Sequence, residues 1–414
     1  MNRNPVDMAK PTRTVLLLLG VTVLGAGCEA RYAQRSNPTV LEGLASWNVV
    51  PDIVLGERDA QGHDFVDPVP LGSNLAGRIF VLDRRLLVIR EFDEDGRFNR
   101  DVVRAGQGPG EMRLASFSHG LMGDTLWFSE MPTGRVHLID SAGRLLRTEE
   151  TGFSPDRLDV EWVSLSRIAD GSGYWIQTRA VSDGAGAELL PTNSMRLLRG
   201  ATAETSEIIH AWESPAGSFR FDNGGTLVRY PGPVERPLVL PHSNGARVVE
   251  IRRSARPSGG LVHAEVTAVD VGGGEPRRRQ FAFPAVPLPD SVRASFEQSV
   301  IEGATWGGAR QLDASTRSRI RDLANSIPGY QPAVVSGVLG PDDTVWLRIP
   351  HEDADQQLWI VLDEQLAAVA RVTLPSNLVS LVTHDGHGWW ATLAGEHGTT
   401  YVARLMIVGM EPHS

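Results

Sequence analysis

GRIFVLDRRLLVIREFDEDG, from Gly77 to Gly96, and GDTLWFSEMPTGRVHLIDSAG, from Gly123 to Gly143, are two copies of one pattern. Each sets an aromatic residue in a β-type run (Phe80, Trp127). Thirteen positions later comes an aspartate (Asp93, Asp140), which opens a turn that ends in glycine three residues further on. The copies are offset by 47 residues. A third copy leads from Asp343, Thr344, Val345 and Trp346 into LWIVLDEQLAAVARVTLP, with Asp363 in the turn and Leu366 where the others have glycine. Fainter echoes stand at GYWIQ (Gly173 to Gln177) and GWWAT (Gly388 to Thr392); Trp127 to Trp175 is 48 residues and Trp346 to Trp390 is 44.

A period in the mid-forties with about four strands per unit is the signature of a β-propeller. One four-stranded sheet is too thin to bury both its faces, so such units stack around an axis, each covering its neighbour, and closing the ring removes free edges. In each turn the aspartate accepts backbone hydrogen bonds and the glycine supplies a positive φ. The sequence therefore predicts an all-β, six-bladed propeller over residues 47–408, with units near 66–110, 111–158, 159–215, 235–286, 330–374 and 375–408. WNVVPDIVLG (Trp47 to Gly56) returns to complete the last unit. One stretch breaks the pattern. From Leu288 to Ile327 strand signals give way to two amphipathic segments that open at Asp290 and Asp313, with Val292, Phe296 and Val300 four apart on one face. This predicts a small helical insertion.

The amino terminus reads as an export signal. Arg3, Lys10 and Arg13 precede the apolar run VLLLLGVTVLGAG, which ends at Cys28. That run is about a dozen residues, short of the roughly 20 needed for a transmembrane helix, so residues 1–27 read as a signal peptide. Cys28 is the only cysteine of the 414 residues and follows Gly25, Ala26 and Gly27. This resembles the lipobox of bacterial lipoproteins, although leucine stands at Leu24 and not at the third position before the cysteine. The resemblance implies a diacylglycerol on the Cys28 sulfur, and so membrane lipid as a partner. It places the protein in the cell envelope, on the periplasmic side or at the outer membrane. Residues 28–46 are polar and unpatterned after the cysteine, and read as a tether.

With Cys28 committed to lipid, the mature domain has no thiol for a disulfide or a thiolate-bound metal. Removing residues 1–27 leaves 37 basic and 49 acidic residues. A net charge near −12 argues against nucleic acid as a partner. The basic clusters Arg252, Arg253, Arg256 and Arg277, Arg278, Arg279 lie beside proline or glycine and read as solvated turns.

RAGQGPGEM (Arg104 to Met112) follows the first repeat. With the F-D-x-x-G turns, DDTVWLRIP and LWIVLDEQL, it resembles the six-bladed β-propeller lipoproteins of environmental and gut bacteria, which are similar to NHL-repeat proteins. In Gly106, Gln107, Gly108, Pro109, Gly110 and Glu111, Pro109 lacks an N–H, Glu111 is anionic and no helix pattern follows. This excludes a phosphate cradle and leaves a structural inter-unit loop, with Glu111 accepting hydrogen bonds from the next blade.

No nucleophile elbow is present. No cofactor is implied, and the function expected is a binding module for an unidentified protein or small molecule. The alternative is a hydrolase, lactonase or lyase with a metal on the propeller axis; His384, His387 and His397 form the densest histidine group for it.

Overall fold

The computed structural model describes residues 41, 43–56, 64–113, 118–130, 135–151, 160–167, 172–180, 192–202, 205–215, 218–220, 227–229, 235–242, 246–305 and 314–408. The expected signal segment, Cys28, most of the expected tether and Asp313 lie outside these residues. Among them no helix is long and apolar enough to cross a membrane.

The chain is mostly β, in a propeller-like arrangement of sheets. β1 (Ala45–Leu55) is followed by the first four-stranded sheet: β2 (Pro68–Ser73), β3 (Ile79–Asp83), β4 (Val88–Phe92) and β5 (Phe98–Val103). The second holds β6 (His119–Met122), β7 (Thr125–Glu130), β8 (Arg135–Asp140) and β9 (Leu145–Glu150). The third holds β10 (Val160–Arg167), β11 (Gly173–Ala180), β12 (Thr192–Gly200) and β13 (Glu207–Pro215). A short pair, β14 (Ser218–Arg220) and β15 (Leu227–Arg229), precedes the fourth sheet: β16 (Leu238–Pro241), β17 (Arg247–Arg253), β18 (Leu261–Asp270) and β19 (Arg277–Pro284). Then come α1 (Asp290–Thr305) and α2 (Ala314–Ser326), and finally β20 (Ser336–Leu339), β21 (Val345–Ile349), β22 (Gln356–Leu362), β23 (Ala368–Pro375), β24 (Leu378–His384), β25 (Trp389–Ala394) and β26 (Thr400–Val408). In the four sheets each strand pairs antiparallel with the next in sequence.

β20 to β26 and β1 form one eight-stranded sheet in the order β20-β21-β22-β23-β1-β26-β25-β24. β1 joins its two halves. Residues 45–47 pair parallel with β23, and residues 48–55 pair antiparallel with β26. The antiparallel register shifts between Pro51 and Ile53, where a proline without an N–H is tolerated.

The first strands gather at the centre: β2 lies against β24 and β6, β6 against β10, β16 against β20, and β20 against β24. Burial follows this geometry. β3 (IFVLD) is buried at all five positions, whereas the outer β9 (LLRTEE) exposes four of six. A strand covered on both faces needs an unbroken apolar run, and a rim strand does not.

Apolar layers fill the spaces between neighbouring sheets. Phe80, Leu82 and Ile89 meet Leu126, Phe128 and Ile139; Trp127 and Leu138 meet Trp175 and Leu198; Tyr174 and Trp212 meet Val248. Val249 and Val266 meet Leu347 and Ile360, Trp346 and Trp359 meet Leu381 and Trp389, and Trp390 and Val402 meet Ile79 and Phe92. Each fully buried aromatic here contributes about 1.5–3 kcal/mol. Trp127, Trp175, Trp346 and Trp390 are all buried, which makes the repeat tryptophans packing residues.

The repeat turns are built as their sequence requires. Asp93 Oδ1 accepts the N–H groups of Asp95 (3.0 Å) and Arg97 (2.8 Å), and Asp363 Oδ1 those of Gln365 (2.9 Å) and Ala367 (2.8 Å). Gly143 has φ +86° and an added Cβ would stand 2.9 Å from the Val102 carbonyl oxygen. Leu366 takes the same left-handed position, at φ 62°, without being glycine.

Arg253 is not a solvated turn residue: its Nε donates to the Arg236 carbonyl, and its Nη1 to those of Val334 and Val335. Burial, with Arg236 adding repulsion, pulls its pKa down to about 10. Proline and glycine nearby signal a turn, but side-chain direction decides where the guanidinium ends.

Candidate functional site

The turns between first and second strands converge at one end of the central gathering. They enclose a cavity of about 520 Å³ lined by Ser73, Asn74 and Leu75 from the β2–β3 turn, Gly123 from β6–β7, and His384, Asp385 and His387 from β24–β25. Volumes of this size hold small molecules.

Asp385 organises the site. Its Oδ2 accepts the Ser73 hydroxyl and the Trp390 indole N–H, both at 2.5 Å. Its Oδ1 accepts the His387 and Gly388 N–H groups at 3.0 and 3.2 Å. Burial pushes the Asp385 carboxyl up, but these hydrogen bonds outweigh it and hold the pKa below the ordinary value. Both oxygens are thus occupied by structure.

His384 is fixed by its own turn. The Gly386 N–H donates to its Nδ1 at 3.0 Å, and the ring stands edge-on to Trp389, with centroids 5.4 Å apart. Burial lowers its pKa despite the charges of Asp385 and Asp342. A neutral ring with Nδ1 accepting carries its proton on Nε2, and so offers a donor.

Beside it, Asp342 and Asp343 occupy consecutive left-handed positions, φ 52° and 59°. His242 Nε2 lies 3.3 Å from Asp343 Oδ1, and Arg247 Nη1 3.7 Å from Oδ2. Non-glycine residues in this region carry strain of about 1–3 kcal/mol and cluster at working sites.

The structure brings His384 and His387 together on one turn; the side chain of His397 lies outside the described residues. Among those residues no three of His, Cys, Asp and Glu converge as a metal would need. Ser73, Asp342, Asp343 and Asp385 escaped the sequence reading. The repeats do carry a signal for them: Asn74, Leu121, Gly340 and His384 each stand six positions before a repeat aromatic (Phe80, Trp127, Trp346, Trp390). Aligning the units on those aromatics marks this turn as the common wall.

The GQGPGE loop lies elsewhere, between β5 and β6. Gly106 N–H donates to the Met112 carbonyl at 3.1 Å, and Met112 is fully buried. Glu111 Oε2 accepts the Gly108 N–H at 2.7 Å, within its own loop; the expected bond from the next blade is not found among the described residues. A Cβ on Gly106 would overlap that carboxylate.

No family model matches this chain, and neither does any curated protein. Among solved structures it is similar to a candidate exported protein from Bacteroides fragilis, at 11% identity, TM-score 0.43, covering 88% of this chain and 99% of that one. It is also similar to the PQQ-bound aldose sugar dehydrogenase of Streptomyces coelicolor (12% identity, TM-score 0.40, 88% and 99% covered). A third is the calcium-binding protein regucalcin of Agrobacterium tumefaciens (12% identity, TM-score 0.38, 88% and 97% covered).

Proposed function

We propose that this chain is an exported, lipid-anchored six-bladed β-propeller that binds a small polar ligand in the cavity beside Asp385. Support for six blades comes from the four separate four-stranded sheets and the two four-stranded halves of the eight-stranded sheet, with an apolar layer between each neighbouring pair. Support for export and anchoring is the segment ending at Cys28. A lipid would leave the propeller in the envelope, facing the periplasm or at the outer membrane, on its 28–46 tether.

The observation that carries the binding reading is the saturation of Asp385 by four hydrogen bonds from two distant parts of the chain. A carboxylate so engaged makes the cavity rigid before any ligand arrives and lowers the ordering cost of binding. The wall then presents the His384 Nε2 donor, His387 and the exposed Leu75 to a guest.

Ligand-observed NMR of the purified chain with a panel of sugars, amino acids and short carboxylic acids tests this reading. Binding that His384→Ala and Leu75→Asp abolish, with an unchanged melting temperature, supports it. Metal-dependent turnover lost in His384→Ala and His387→Ala overturns it in favour of the axial-metal enzyme. For the anchor, mass spectrometry of the processed amino terminus is expected to show an acylated Cys28 in the parent and none in Cys28→Ser.

A further inference from the structure

A second cavity, of about 540 Å³, lies between the GQGPGE loop and the face of β7–β9. Three of its side chains stand in a row on neighbouring strands: Glu130 ends β7, His137 is on β8 and Thr148 on β9. The register places His137 opposite Thr148, so both project from one face. Thr148 Oγ1 is 3.0 Å from His137 Nδ1, and on the far side of the ring Nε2 is 3.4 Å from Glu130 Oε2. Phe128 stacks on the imidazole at 5.0 Å between centroids and fixes its plane.

Glu130 anchors one end of this row. Glu130 is 1% exposed, which pushes its pKa up. Arg113 nevertheless donates from Nε (3.3 Å) and Nη2 (3.0 Å) to its two oxygens and, with His137, holds it below the ordinary value. An ionised carboxylate only accepts, and the tautomer of His137 that turns an Nε2 proton toward it keeps a lone pair on Nδ1. The Thr148 hydroxyl facing that lone pair donates. A hydroxyl, a base and a carboxylate that orients the base are then in the order that activates a nucleophile. Thr148 itself is exposed to the cavity, where its free lone pairs can reach a substrate.

We propose that Thr148, His137 and Glu130 form a metal-independent acyl-transfer site for small carboxylic esters. Thr148 Oγ1 attacks the ester carbonyl carbon while its proton passes to His137 Nδ1. The ester C–O bond breaks, and the departing alcohol takes the proton from His137. Water then attacks the threonyl ester and gives a proton to His137, which returns it to Thr148 Oγ1 as the carboxylic acid leaves. Gln107 and Arg135, which line the same cavity, are the donors available to the developing oxyanion. Thr148 and His137 touch the reacting atoms. Glu130 is a positioning residue, held in turn by Arg113.

The test uses the purified full-length chain with p-nitrophenyl acetate and, separately, a fluorophosphonate that labels activated hydroxyls. The proposal expects the phosphonyl mass on the peptide carrying Thr148. Thr148→Val, on an exposed site that preserves the fold and the melting temperature, is expected to cut turnover by about 100-fold or more, and Thr148→Ser to retain it. Glu130→Gln is expected to lower kcat with KM unchanged, which a loss of fold would not do. Val379→Ala, exposed on β24 and outside both cavities, is expected to leave ester turnover at the parent rate. A parent-like rate in Thr148→Val, or labelling confined to other residues, overturns the proposal.

Discussion

Ser73 and Asp385, 312 positions apart in the chain, are joined by a hydrogen bond of 2.5 Å from the serine hydroxyl to the carboxylate. The bond ties the first strand of the first sheet to the turn after β24, where the two ends of the repeat array meet. Asp385 also holds the indole N–H of Trp390, a side chain fully buried in the layer that joins those ends.

Asp385→Asn therefore weakens the fold, because the new amide donates where a buried donor needs an acceptor. The expected cost at neutral pH is about 1–3 kcal/mol. The folded pKa of Asp385 lies below its unfolded value, so its contribution is present above about pH 4 and is lost as pH falls through the folded pKa. Urea unfolding of parent and variant at pH 7 and again near pH 3 checks this: the gap between them is expected to narrow in acid.

The repeat turns give a pair of opposed expectations. Gly143→Ala forces a Cβ toward the Val102 carbonyl oxygen at a left-handed position and is expected to cost about 1–2 kcal/mol. Leu366→Gly removes a similar strain but also loses a side chain that is 1% exposed and packed against the fourth sheet. Burial of a leucine is worth about 1.5–3 kcal/mol and strain relief about 1–2, while glycine adds about 0.5–1 of lost chain entropy. Burial wins, and thermal melts are expected to show Leu366→Gly destabilised.

Glu91 has no exposed side-chain surface; it accepts from Arg78, from Asn99 (2.7 Å) and from Arg100 Nε (3.0 Å) and Nη2 (2.9 Å). Arg100 reaches on to the Ser141 and Ala142 carbonyls of the second sheet. Removing it in Arg100→Ala strips the Oε2 atom of a buried carboxylate of both its Arg100 donors and is expected to cost about 2–4 kcal/mol. Arg100→Lys is expected to recover little, since an ammonium cannot supply two donors to Oε2 and also reach both carbonyls. Denaturant midpoints of the two variants decide the point.

Deleting residues 1–55 takes β1 from between β23 and β26 and exposes two strand edges at once. The loss includes Leu55 and Ile53, both buried in the layer against the first sheet. This truncation is expected to abolish cooperative unfolding and to aggregate through the open edges, whereas deletion of residues 1–40 is expected to leave the melt unchanged.

Much of the sheet architecture was legible because its signals are local. The aromatic at a fixed place and the aspartate 13 residues later each act within one unit: Asp93 and Asp140 bond to backbone two to four residues away, and the second strands need apolar runs wherever both faces are covered. The helical excursion was legible for the same reason, since the strand alternation stops where α1 begins. The short pair β14 and β15 was not, because three-residue strands carry too little pattern to read.

The candidate sites divide differently. His384 and His387 could be found by eye because they are neighbours in sequence, but nothing local tells that Asp385 reaches Ser73. Nor does the chain order hint that Arg113, Glu130, His137 and Thr148 share a cavity, since each stands on a different loop or strand. What the sequence by itself determined was the repeating unit: turn chemistry and strand pattern are set by residues within a few positions of each other. Only the tertiary structure decided which side chains meet. Closing the units on one another fixes the register between them, and that register sets the Asp385 carboxylate beside Ser73, 312 positions away in the chain.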